Sequence, residues 1–164
     1  MLFKIMIFTE GKTGNVADIT LGDKATDILD LDWFDANKTT LRKRTRSGQE
    51  IGIRKDSAPL QDGDIIYNEN DKVIIINILP CACIILKPKN FRDMATICFE
   101  IGNKHIPVFI TEIGEVLVEF EQPLYRILER AGYQPLRAER KLLKTHALVV
   151  RKHENVLNKT ITIR

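Results

Sequence analysis

The sequence predicts an α+β chain in which a small all-β domain is followed by a ferredoxin-like β-α-β-β-α-β domain. Three observations predict it. The first half holds short strand-like runs separated by turn residues, with no helical period of useful length. Pro80 and Pro88 then bracket a change of character. The second half alternates period-two and helical spacing in the order of a split βαβ unit. The expected domains are residues 1–79, residues 80–141 and a C-terminal tail over residues 142–164.

In the all-β part, residues 3–8 and 16–21 read as the first two strands. Residues 39–46 and 50–54 flank Ser47-Gly48-Gln49 and read as a hairpin. Leu60-Gln61-Asp62-Gly63-Asp64 is a turn into Ile65-Ile66-Tyr67. A second turn over residues 68–72 leads into a strand over 73–78.

After Pro80, residues 82–86 form a strand. Phe91, Met94, Ala95, Cys98 and Ile101 recur at helical spacing and predict the core-facing stripe of a first helix. Asn90 suits its N-cap, and Gly102 is expected just past its end in the left-handed conformation that glycine adopts cheaply. Ile106, Val108 and Ile110 alternate as a strand, Gly114 turns the chain, and Val116, Val118 and Phe120 alternate as its partner. Pro123 opens a second helix with the stripe Leu124, Ile127, Leu128 and Ala131, and Gly132 closes it. Leu136 and Ala138 mark a last strand. Two helices on one face would leave the other sheet face for a partner or ligand.

Composition narrows the function classes. Hydrophobic residues at 44% suffice for a core, and 29% charged residues argue against a disordered chain. Lys4 interrupts the apolar start and Thr9-Glu10-Gly11 ends it, so no secretory signal is expected. No apolar run is long enough to span a membrane. Three cysteines, an odd number without a disulfide-scaffold pattern, suit a reducing cytoplasm. The net charge of +3 is mild. The densest basic segment, residues 38–46, reads as a solvated strand face ahead of a nucleic-acid patch.

No phosphate-binding glycine loop, nucleophile elbow or paired zinc histidines occur. Histidine is confined to His105, His146 and His153. His105 lies in Gly102-Asn103-Lys104-His105-Ile106-Pro107, between the first helix and the next strand; such a position suits a polar surface residue as well as a ligand. Cys81-Ala82-Cys83 places two thiols on one strand face, where they could grip a soft metal or pack as small hydrophobes.

The order of motifs carries more than any one of them. The first half holds Arg44-Thr45-Arg46-Ser47-Gly48-Gln49-Glu50-Ile51-Gly52-Ile53, then Leu60-Gln61-Asp62-Gly63-Asp64-Ile65 and a hydrophobic strand. The second holds Ile97-Cys98-Phe99-Glu100-Ile101-Gly102-Asn103-Lys104-His105-Ile106-Pro107. From Leu31 to Lys141 the chain resembles the UreE family of urease accessory proteins, and Gly-Asn-basic-His is the family's most specific mark.

The resemblance implies a non-enzymatic nickel metallochaperone of the cytoplasm. It implies a homodimer formed through the ferredoxin-like domain, with a tetramer as the further assembly. His105 of each protomer would face its mate across the two-fold axis, so that two imidazoles converge on one Ni(II), with Zn(II) as competitor. His146 or His153 would add a third ligand. The implied partners are urease and its accessory proteins, including the maturation GTPase, with neither nucleic acid nor membrane among them. The chain departs from the family's His-rich tails, and residues 116–121 carry no histidine, so few ions per dimer are expected. The rival reading is an RNA-binding two-domain protein. It lacks the glycine-flanked aromatic pattern of RNA-recognition sheets. A copper carrier built on Cys81 and Cys83 lacks the methionine context.

Overall fold

β-Branched residues dictate most of the first half. Its most apolar stretch, Lys-Val-Ile-Ile-Ile-Asn-Ile, is buried at Val73, Ile74, Ile76 and Ile78 and forms a strand. The computed structural model describes residues 6–56, 58–69 and 71–149. In chain order the strands of the first half are β1 (Ile7–Thr9), β2 (Gly14–Asn15), β3 (Ala25–Leu31), β4 (Thr40–Arg44), β5 (Glu50–Arg54), β6 (Asp64–Glu69) and β7 (Lys72–Ile78), with a 3-10 turn at Asp35–Asn37. The second half adds β8 (Cys81–Leu86), α1 (Phe91–Gly102), β9 (Phe109–Ile110), β10 (Val116–Glu119), α2 (Gln122–Arg130), β11 (Leu136–Arg140) and a 3-10 turn at Lys144–His146.

The first half forms two sheets, ordered β1-β5-β4 and β2-β6-β7-β3. The β4–β5 hairpin pairs Leu41 with Ile53 and turns at Gly48, whose φ of 82° a side chain would strain. Leu29, Leu31, Leu41, Ile51, Ile53, Ile66, Ile74 and Ile76, drawn from both sheets, share one core. Each such side chain stabilises the fold by about 1.5–3 kcal/mol on burial.

One expectation for this half is overturned, and one strand was not foreseen. Residues 16–21 are not a strand: the Asn15 side chain accepts from Ala17 N at 3.0 Å, and Asp18 N bonds Asn15 O at 3.0 Å, so the chain turns away. The unexpected strand is β3, parallel to β7 over seven residue pairs. Its Asp27 and Asp30 disguise it. Asp27 is buried, and its carboxylate accepts Ser47 Oγ at 2.5 Å, Ser47 N at 3.2 Å and Ile28 N at 2.9 Å. Burial opposes its ionisation, but the Ser47 and Thr45 hydroxyls and the backbone donors outweigh burial and hold the carboxyl down at about 2.

In the second half, β8 is central in a four-stranded sheet ordered β11-β8-β10-β9, with every pairing antiparallel. One face, carrying Ile84, Leu86, Val116 and Val118, packs against Ile97 and Ile101 of α1 and Leu124 and Leu128 of α2. The α1 stripe differs from expectation. Ile97 and Ile101 are its buried residues, Met94 and Cys98 flank them, and Phe91 and Ala95 face solvent. Likewise Ile127 of α2 is 46% exposed.

The opposite sheet face is not left open. Cys83, Ile85, Phe109 and Leu117 pack there with Leu142, and Trp33 of the first half joins them. Trp33 meets Phe109 edge to face with centroids 5.6 Å apart. Lys141 Nζ donates to Asp62 at 2.9 and 3.1 Å and to Asn77 Oδ1 at 2.8 Å. Residues 142–149, expected to belong to the tail, are therefore anchored at their start: Leu142 is 3% exposed and Leu143 packs on the first core. Among the described residues, no helix is long and apolar enough to cross a membrane.

Candidate functional site

The site begins with how α1 ends. Asn90 caps its start as expected, accepting Asp93 N at 2.9 Å on its side chain. At the other end the hydrogen bonds tighten. Asn103 N reaches Phe99 O at 3.0 Å, Lys104 N reaches Ile101 O at 3.0 Å, and His105 N reaches Gly102 O at 2.9 Å. Gly102 is still helical, contrary to the expectation that it would supply the left-handed residue. That role falls to His105, at φ 57°, alone among the described non-glycine residues. A left-handed L-residue costs about 1–2 kcal/mol, and such outliers gather at functional sites.

His105 is exposed, yet its base is fixed. Ile101 on one side is wholly buried, and Ile106 on the other packs on the same core. The imidazole is thus presented to solvent from a rigid corner. His105 also lines a half-open groove of about 430 Å³ between the two halves of the chain, together with Pro107, Phe109, Trp33, Leu142 and Leu148. The indole Nε1 of Trp33 is buried there without a hydrogen-bond partner among the described residues.

The second histidine lies on a segment that runs beside the exit from this corner. His146 is half-buried at the end of its 3-10 turn, with its N–H donating to Leu143 O at 2.9 Å. The next residues pair with the chain just after His105: Ala147 bridges Phe109, and Leu148 N donates to Val108 O at 2.7 Å. His153 lies outside the described residues. Among the described residues, no group of three His, Cys, Asp or Glu side chains could hold a metal ion. Among the described residues of one chain, His105 therefore has no ready-made set of ligands around it.

The surface next to His105 is one that sequence reasoning missed. Phe91, Ala95 and Phe99 are spaced by four and share the outer face of α1. Phe91 is 95% exposed and Phe99 69%. Two apolar stripes run along this helix. Spacing alone could not say which would be buried.

The cysteines lie elsewhere. Cys81 and Cys83 hold their Sγ atoms 3.7 Å apart on β8. Burial, then the neighbouring Cys83 and the carboxylates of Glu119 and Glu139, pushes the Cys81 thiol up to about 12. Burial also raises Cys98, whose Sγ contacts Met94 Sδ at 3.9 Å. The basic segment is neutralised locally: Arg42 and Arg44 pair with Glu50, Lys38 and Lys43 with Asp35, and Arg46 with Asp30.

Known proteins are similar to this sequence over most of its length. A family model described as UreE urease accessory protein, N-terminal domain, matches residues 10–79. A urease accessory protein UreE of Flavobacterium johnsoniae is 38% identical over 122 residues, covering 73% of each chain. That of Acetivibrio thermocellus is 36% identical over 129 residues, 78% of this chain and 84% of its own. That of Helicobacter acinonychis is 35% identical over 158 residues, 94% of this chain and 93% of its own.

Proposed function

The chain belongs to the UreE family of urease accessory proteins, which are not enzymes, and on that premise we propose that it carries Ni(II) to apo-urease on the His105 imidazoles of two protomers. One observation carries the reading: His105 is held exposed in a left-handed corner, at the end of a helix whose outer face is apolar and uncovered. A single imidazole holds a metal ion weakly. A two-fold axis beside His105 doubles it, and imidazole suits nickel and zinc alike.

The dimer reading rests on the same helix. Phe91 and Phe99 of one protomer would cover their counterparts, as the two-fold contact of a homodimer requires. The strand order β11-β8-β10-β9 supports reading the second half as the ferredoxin-like unit that dimerises. His146 or His153 then supplies a third ligand, and exposure of His105 suits release by ligand exchange to urease and its maturation GTPase in the cytoplasm. Zn(II) competes for the same imidazoles.

The test combines a calorimetric Ni(II) titration with a mass measurement in solution. The expected result is one tightly bound ion per two chains, lost in His105→Ala with the dimer retained. Phe99→Asp is expected to separate the protomers and remove tight binding with them. Full-strength nickel binding by His105→Ala, or by a monomer, refutes the reading.

A further inference from the structure

We propose that Cys81 and Cys83 form a second metal seat, separate from His105, that takes a thiophilic dication of the zinc class through two thiolates. The two residues are i and i+2 on β8, so their side chains leave the same face. Their sulfurs lie 3.7 Å apart. Two thiolates bound to one tetrahedral ion, each at about 2.3 Å, stand about 3.8 Å from one another. The pair already has the bite of a chelate.

The bite is held rigidly. β8 is flanked on both sides: Cys81 pairs with Arg140 and Cys83 with Ala138 on β11, while Cys83 pairs with Glu119 on β10. The sulfur contacts the protein offers are weak and replaceable, from Cys83 Sγ to Cys81 O at 3.4 Å and to Arg140 O at 3.7 Å. Cys81 is partly exposed and Cys83 wholly buried, so an ion enters from the Cys81 side. Burial above all, with the carboxylates of Glu119 and Glu139, keeps the free Cys81 thiol protonated, and burial does the same for Cys83. The ion therefore displaces both protons to solvent as it binds, while those carboxylates favour its positive charge. No third His, Cys, Asp or Glu among the described residues completes the set, so water fills the remaining positions and the ion stays exchangeable. Soft thiolates here and imidazoles at His105 give one chain two donor chemistries, and this seat stands independently of the nickel reading.

The full chain, kept reduced by a phosphine, is titrated with Cd(II), whose thiolate complexes absorb in the ultraviolet. The expected outcome is a charge-transfer band that saturates at one ion per chain and is competed away by Zn(II). It survives His105→Ala and Cys98→Ser and disappears in Cys81→Ser. Cys81 is the residue to change because its partial exposure spares the core, and Cys81→Ala replaces it if the far-ultraviolet dichroism is not native. Nickel stoichiometry is unchanged in either Cys81 variant. Absence of the band in the unmodified chain, its persistence without Cys81, or its loss in Cys98→Ser overturns the proposal.

Discussion

Replacing His105 by glycine and by alanine separates the backbone role of this position from its side chain. At φ 57° the wild-type residue bears the left-handed cost, with its N–H already bonded to Gly102 O. Alanine keeps that cost, about 1–2 kcal/mol. Glycine removes it and adds back about 0.4–1 kcal/mol through the freer unfolded chain. The glycine variant is therefore expected to be the more stable of the two by about 1 kcal/mol. For a chain of this size that is a melting difference of about 2–4 °C. The comparison is made on metal-free protein at equal concentration, because bound metal and dimerisation add stability of their own. Both variants are expected to lose tight Ni(II) binding in calorimetry. An alanine variant more stable than the glycine one would refute the left-handed corner. A glycine variant that still binds one nickel per two chains would show that the corner serves something other than a ligand.

Asp27→Asn probes the buried carboxylate of β3. Its folded value near 2 against an ordinary 3.8 corresponds to about 2 kcal/mol, present above the unfolded value and lost as pH falls through the folded one. In urea unfolding, the gap between wild type and variant should shrink by about 1 kcal/mol from pH 7 to pH 3; a constant gap would mean that Asp27 is not held low. Leu142→Ala is expected to cost about 2–4 kcal/mol in the same assay, because Leu142 is 3% exposed and packs beside Cys83, Phe109 and Trp33. A cost typical of surface positions would place residue 142 outside the core. In a nickel titration series, His153→Ala should weaken binding less than His105→Ala; the reverse order would make the tail the primary site. Nickel affinity should fall as pH drops below neutral, since protons compete for imidazole, and a flat profile would point to carboxylate ligands.

Several features were legible because they are local. Ser47-Gly48-Gln49 turned the β4–β5 hairpin, and Gly132 closed α2 at φ 87°. Asn90 capped α1, and the alternation at Val116 and Val118 made β10. His105 was singled out by its motif, and its place between helix and strand follows from the same few residues. Such features depend on backbone propensity and side-chain period over a handful of positions, which a sequence states directly.

Contacts between distant residues were not legible. β3 is hidden by its aspartates, and it joins a parallel partner through no hairpin, so neither composition nor turn chemistry announces it. Its Asp27 is tolerated because partners distant in sequence reach it: the turn at Ser47 comes round to donate to it, and Lys72 pairs with it at 3.3 Å. Which of two apolar stripes on α1 turned inward was settled by the sheet face it met, since Ile97 and Ile101 fit against Ile84 and Val118 and left Phe91 and Phe99 outside. The same competition for burial drew Leu142 beneath the sheet and closed Trp33 onto Phe109. Propensity sets what each segment can be, at fractions of a kcal/mol per residue. Burial, at about 25 cal/mol for each Å² of apolar surface, decides among the options, and only the folded chain brings the competing surfaces together.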